Sequence, residues 1–522
     1  MTLLSSGPSN YRSLRTQPLL VAFGVVGIAI AAVPMDTTTA LRTSSTLRNA
    51  VRVDAIMEHE RVFQKIANSN DHTRVSGTPG YDASAEYVAG KLRAAGYAVT
   101  LQTFTFPFFQ EVGQSTFERV SPDPRAYVRG NEGYDVMDYS GSGDVTAKVV
   151  PTQDVQIPPS LTPSSTSGCE ATDFAGFPAG SVALIQRGTC TFGQKVQNAE
   201  AAGAIGAIIF NEGQPGRTEM VDGRLGAPAN IPAISTTFDI GAELYNMAAA
   251  GQNPTVHIVT QTVSENRNTT NVIADTKTGR TDRTLMVGAH LDSVPEGPGI
   301  NDNGSGTAGI LEIALQMNKR HIKPTNHVRF AFWGAEESGL FGSQHYVDQL
   351  VATGHKDDIA LYLNFDMIGS PNFVRFVYDG DGDAFGTSGP NGSGTVEDVF
   401  LDYFGSQGLQ TEPAEFDGRS DYGPFINAGI PAGGLLSGAE GIKTPEQAAI
   451  YGGTAGTAYD ACYHQACDTI TNLNKRSIDQ LADGAAHATL TFAQTTSAVK
   501  GTDNASKTVA SKMEYEGPMA VK

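Results

Sequence analysis

His290, Asp302, Glu337, Asp366 and His464 offer two imidazoles and three carboxylates, a mixed nitrogen and oxygen donor set suited to zinc or a similar divalent ion. Five protein ligands crowd a single ion. Two ions about 3.5–4 Å apart can share one carboxylate and leave room for a bridging water. Three ionised carboxylates against two dications leave net positive charge, which draws the pKa of that water toward about 7. Asp292, shortly after His290, can accept the imidazole's other N–H and set its tautomer. Glu336 adjoins a ligand without being needed as one. It is free to take a proton from the nucleophilic water and pass it to a leaving amine. Tyr463, beside His464, can donate a hydrogen bond to a developing oxyanion. Taken singly each signal is weak, because Glu-Glu pairs usually start solvated helices and His-x-Asp is often a surface pair.

Their placement joins them. The apolar run LMVGA leads into His290, VRFAFWGA into Glu336 and Glu337, and IALYLNF into Asp366. Asp302 sits in GINDNGSG, ahead of a helical pattern with Ile310, Ile313, Ala314 and Met317 on one face. Short apolar runs alternating with a helix predict buried parallel strands, and open α/β sheets gather ligands at the carboxyl ends of their strands. The expected fold is therefore α/β, a mixed but mostly parallel sheet flanked by helices.

Around this centre the chain is read in order. Residues 53–67 and 81–95 have helical patterns, and SGTPGYDAS between them is a turn with a capping signal. YAVTLQTFTF alternates like an edge strand. From 126 to 258 Pro and Gly cluster, and SVALIQRG and AIGAIIFNEG read as strands around the helix FGQKVQNAEAAGA. This small α/β unit holds no His–carboxylate cluster, and His257 is read as structural. The catalytic domain is expected to be split around it, as 51–125 and 259–500. Asp379, Asp381 and Asp383 lack the offsets of a calcium loop and are read as a solvated loop. FDGRSDYGPF and GGLLSGAEG are read as glycine-rich loops near the site, and a last helix is expected from 478 to about 499.

With 522 residues, 40% of them hydrophobic and 17% charged, the chain is long enough for two or three ordinary globular domains. A formal charge of −19 without basic runs argues against a nucleic-acid partner. Arg12 and Arg15 precede an apolar run from Leu19 to Val33 with an Ala-x-Ala site, so residues 1–33 are expected to be a signal peptide, with an uncleaved anchor as the alternative. No stable membrane span is expected after cleavage, and the protein is expected to be secreted. Residues 34–50 would form a polar linker and 501–522 a polar tail. Cys169, Cys190, Cys462 and Cys467 allow three pairings. Sequence order favours Cys169–Cys190 and Cys462–Cys467, as suits an oxidising compartment.

AHLDS, GINDNGSG, FWGAEESGLFGS, LNFDMIG and CYHQACD, in this order, closely resemble the co-catalytic di-zinc aminopeptidases of metallopeptidase family 28, of the secreted leucine aminopeptidase and aminopeptidase Y type. The likeness covers essentially residues 50–500. GCEATDF and ALIQRGTCTFGQKVQNAEAAGA resemble a protease-associated domain, inserted as 126–258. The resemblance implies the zinc-dependent exopeptidase fold, two zinc ions per chain and peptide substrates with a free N-terminus. His290 and Asp366 would bind one zinc and Glu337 and His464 the other, with Asp302 bridging, Glu336 the general base and Tyr463 the oxyanion donor. It also implies a cis peptide at Asp302–Asn303 and an arginine, Arg419, near the substrate's amino end. Arg419 could equally pair with Asp417 or Asp421. A carboxypeptidase or a single-zinc glutaminyl cyclase on the same fold is the alternative enzyme, and an inactive peptidase-like binding protein the alternative class. No G-x-S-x-G elbow supports a serine hydrolase.

Overall fold

The computed structural model describes residues 37–496 and Val499. The expected signal peptide and polar tail lie outside the described residues. Two eight-stranded mixed sheets organise the rest.

The first sheet has a parallel centre. Strands Asn326–Trp333, Arg280–His290, Ile359–Phe365 and Ala432–Leu436 run side by side in that order, all parallel. Antiparallel strands Thr262–Asp275 and then Ala98–Glu111 extend one edge, and Phe376–Tyr378 with Glu412–Ala414 extend the other. Alternate residues of a strand face opposite ways, so the sheet feeds two cores. Leu285, Val287 and Ala289 pack with Ile56, Phe63, Val88, Leu311 and Leu481. Those residues come from helices Val53–Asn68, Pro79–Ala94, Gly306–Lys319 and Lys475–Gln494. Met286 points to the other face, with Tyr346 and Val347 of helix Phe341–Thr353 and Phe425 of helix Tyr422–Asn427. Covering helices on both faces explain why the central strands are apolar throughout rather than alternating.

The second sheet belongs to the inserted unit. Its centre is again parallel: Gly143–Pro151, Val182–Gln186, Gly206–Phe210 and Ala233–Thr236. Helices Phe192–Ala201 and Phe238–Ala249 start with Thr191 and Thr237 capping backbone amides. The antiparallel strand Thr255–Thr260 lies beside Gly143–Pro151 and also pairs with Thr116–Ser121, so this sheet draws a strand from before residue 126. Both disulfides join the favoured partners, Cys169–Cys190 and Cys462–Cys467.

Three expectations are corrected. YGPF of FDGRSDYGPF opens the helix Tyr422–Asn427 rather than lying in a loop. The connector is a helix, Thr37–Arg48, because Ala40, Ser44 and Leu47 recur at helical spacing and are buried. Ser44 Oγ meets His487 Nδ1 at 2.8 Å on the last helix. GGLL belongs to the strand Ala432–Leu436, not to a loop. A Cβ at Gly434 would lie 1.8 Å from the Asn364 carbonyl oxygen, so glycine here serves close strand approach rather than a turn. No helix among the described residues is long and apolar enough to cross a membrane.

Candidate metal centre

His290 is the last residue of its strand, Glu336 and Glu337 lie in the turn after Asn326–Trp333, and Asp366 directly follows Ile359–Phe365. All stand at the carboxyl ends of parallel strands. Asp302 lies on the segment Ile300–Ser305, whose Asp302–Asn303 peptide is cis, and His464 lies in the loop closed by the Cys462–Cys467 disulfide. Ala335, Met367 and His464 have left-handed backbones at φ 54°, 52° and 55°. Such non-glycine residues cost about 1–3 kcal/mol each and persist only where neighbours hold them. Here the Ala335 amide donates to Ser76 Oγ at 2.6 Å and the Met367 amide to Asn303 Oδ1 at 3.1 Å.

These turns bring the five expected ligands together. His290 Nε2 lies 3.3 Å from Asp366 Oδ1, and His464 Nε2 lies 3.1 Å from Glu337 Oε2. Asp302 stands between the pairs. Its Oδ1 is 3.2 Å from His290 Nε2 and its Oδ2 3.2 Å from His464 Nε2. Glu336 Oε2 is 4.0 Å from His290 Nε2. Asp292 Oδ1 is 3.6 Å from His290 Nδ1 and 3.3 Å from the Glu336 amide that donates to it. Tyr463 stacks on the His464 ring at 3.8 Å.

The electrostatics call for a cation. Burial, with Glu337 alongside, pushes the Glu336 carboxyl well above the usual range despite His290. Burial and Asp302 raise Glu337 to about 7. Asp302 itself is opposed by burial, but the two imidazoles facing it hold it below the usual range. Burial disfavours the His464 cation, yet Glu337 and Asp302 raise it to about 11. Three buried acids and two imidazoles aimed at one another leave His464 Nε2, Glu337 Oε1 and His290 Nδ1 without a hydrogen-bond partner, which is unusual in an interior. Donor atoms of His290, Glu336 and Asp366, and of His290, Asp302 and Glu337, fall within 4.8 Å of one another. The donor set fits divalent metal.

Several supporting residues escaped sequence reasoning. Asp468 accepts the amides of Asn301 and Asp302, at 2.9 and 3.0 Å. Ser420 Oγ donates to Asp366 Oδ2 at 2.6 Å. The buried Arg74 donates to the carbonyls of Leu291, Pro298 and Gly299, tying the His290 strand end to the Asp302 loop. Asp421 is buried beside His290 and Asp366 and burial raises it to about 8. Only S-D within FDGRSDYGPF hinted at two of these. Arg419 takes none of the paired roles foreseen for its side chain. Its guanidinium donates to Glu440 at 2.6 Å and to the Tyr463 hydroxyl at 3.2 Å, because the segment after Ala432–Leu436 brings Glu440 to the rim. Asp379 accepts the amides of Gly382, Asp383, Ala384 and Phe385, so its own loop occupies it. A cleft of about 770 Å³ opens over the centre, with Met367, Tyr378, Ala414 and Leu436 on its apolar side.

The profile of Peptidase family M28 matches residues 271–489, and that of the PA domain matches 132–244. A curated aminopeptidase of Pseudomonas aeruginosa is 48% identical over 448 residues, 85% of this chain and 81% of that protein. The chain belongs to peptidase family M28. Leucine aminopeptidase 2 of Trichophyton equinum is 39% identical over 441 residues, 84% of this chain and 83% of that one. The solved structure of a zinc aminopeptidase from Bacillus subtilis matches with a TM-score of 0.56 and 25% identity, covering 90% of this chain and 99% of that one. This M28 chain is an enzyme of the aminopeptidase kind.

Proposed function

We propose that the protein is a secreted aminopeptidase that holds two zinc ions at this centre. The observation that carries the reading is Asp302, whose two oxygens face two separate imidazole–carboxylate pairs. His290 and Asp366 would hold one ion, His464 and Glu337 the other, and Asp302 would bridge them. Bound there, the ions supply Lewis acidity, which acidifies a water and polarises the scissile carbonyl. Glu336, buried and outside both pairs, takes the proton from that water at its carboxylate and delivers it to the leaving amine. The Tyr463 hydroxyl, already oriented by Arg419, donates to the oxyanion. Asp292 steadies the His290 ring.

A free N-terminal amine suits an enclosure this acidic, and an acetylated peptide should resist cleavage. A carboxypeptidase needs a cation for the terminal carboxylate, and Glu440 already engages Arg419. Two disulfides and the apolar run at 19–33 support export. The deciding experiment is hydrolysis of leucine-p-nitroanilide before and after a chelator, with zinc content measured alongside. Loss with the chelator, recovery with zinc and two ions per active chain support the reading. Activity that survives complete removal of metal sinks it.

A further inference from the structure

Glu337 forms a wall of two clefts. One is the cleft over the metal centre, and the other runs between the catalytic and inserted units. The partition between them is held from the inserted side. The Tyr139 hydroxyl and Arg224 Nη1 both donate to the Ser338 carbonyl, each at 3.0 Å. The next residue, Gly339, has φ +126°, and a Cβ there would lie 2.6 Å from Arg224 Nη1. Two donors from a distant unit thus fix the turn that carries Glu336 and Glu337.

The second cleft is a partly open groove of about 170 Å³, room for one side chain. Phe109, Val294 and Pro295 give it an apolar side. Its charges are unevenly compensated. Glu111 is gripped by Arg129 at 2.5 Å, and Asp138 faces Arg224 at 3.6 Å. Glu296 is exposed and belongs to no ion pair among the described residues.

We propose that this second cleft receives the peptide beyond the scissile bond, and that Glu296 makes it favour a cationic second residue. The inference rests on the aminopeptidase reading, since only then does a chain extend from the metal centre on its leaving-group side. Glu337 and Ser338 would form the rim between the cut bond and the cleft that takes the second residue's side chain. An exposed acid facing a mobile lysine is worth about a fivefold preference at most, and less in high salt.

The test compares zinc-loaded wild type with Glu296→Lys and Glu296→Gln on leucinamide, leucyl-lysinamide and leucyl-glutamamide. Leucinamide has no second residue and reads the activity alone. The expected result is higher kcat/KM for the lysinamide in wild type. That preference should vanish in Glu296→Gln and invert in Glu296→Lys, with leucinamide turnover unchanged in both. Leucinamide hydrolysis without such discrimination, or with discrimination that both variants keep, overturns the subsite alone. Inert leucinamide in zinc-loaded wild type overturns the activity reading, and the subsite with it.

Discussion

At the carboxyl end of the inserted unit's strand Gly206–Phe210, Glu212 accepts the amides of Ser164 and Ser165 and pairs with Arg217. At the carboxyl end of the catalytic unit's strand Asn326–Trp333, Glu337 keeps a buried oxygen with no hydrogen-bond partner. Both acids follow a parallel strand in an α/β sheet, and both are withdrawn from water. The inserted unit also buries Lys195, whose ammonium donates to the Ser167 carbonyl. Architecture therefore does not separate a structural acid from a proposed ligand. Satisfaction does: a group fully engaged by its own backbone has nothing left to offer a metal.

Glu336→Gln should sharpen this contrast most. It should lower kcat about 10²–10⁴-fold while zinc content stays at the wild-type level, because in the proposed mechanism the group moves a proton rather than holding an ion. A variant that loses zinc in parallel would make Glu336 a ligand instead. Asp292→Asn should weaken zinc binding about 10–100-fold, measured by competition with a chelator, since the proposal has it steady His290 from behind. Unchanged affinity would leave the 3.6 Å approach to Nδ1 without a function.

Glu212→Gln tests the opposite side of the comparison. It should destabilise the protein by about 2 kcal/mol in urea unfolding, because the Arg217 partner and two amides lose a charged acceptor. Leucinamide turnover below the transition should stay intact. Lost turnover in the folded variant would mean the inserted unit's interior feeds the site directly.

The smallest expected effect concerns a satisfied histidine outside the centre. His487 meets Ser44 Oγ and stacks on Tyr403 at 4.9 Å. Burial, reinforced by Arg48, lowers its pKa to about 4 despite Asp402. Its folded pKa lies below the unfolded value, so its contribution is complete above about 6.5 and is lost as pH falls through that value toward 4. Stability at pH 5.5 should be about 1 kcal/mol lower than at pH 7 from this residue alone. His487→Gln should flatten that difference. An equal slope in the variant would assign the loss to other groups.

Much of the catalytic sheet was legible because its signals are local. An apolar run of strand length, closed by a polar residue, marks both a buried strand and the position of its carboxyl end. Helices expected at 53–67 and 81–95 stand at Val53–Asn68 and Pro79–Ala94. Misreadings arose where composition spoke for two outcomes. The Thr- and Ser-rich stretch at 37–48 looks like a linker until Leu41 and Leu47 find a core to pack on. Glycines at 433 and 434 look like a turn until Val396 and the Asn364 carbonyl are seen against them. Strand Thr116–Ser121 joins the inserted sheet through pairing with Thr255–Thr260, a partner far along the chain.

By itself the sequence determined the donor types, their order and the position of His290, Glu337 and Asp366 at strand ends, because strand length and side-chain alternation are properties of short segments. Only the tertiary structure decided which oxygen of Asp302 faces which imidazole, that Arg419 turns to Glu440, and that Tyr139 and Arg224 reach Ser338. Each of those contacts joins residues with no local signal linking them. They exist because two sheets and their loops close on one another, and the energy that selects them is packing and hydrogen bonding summed over the whole fold.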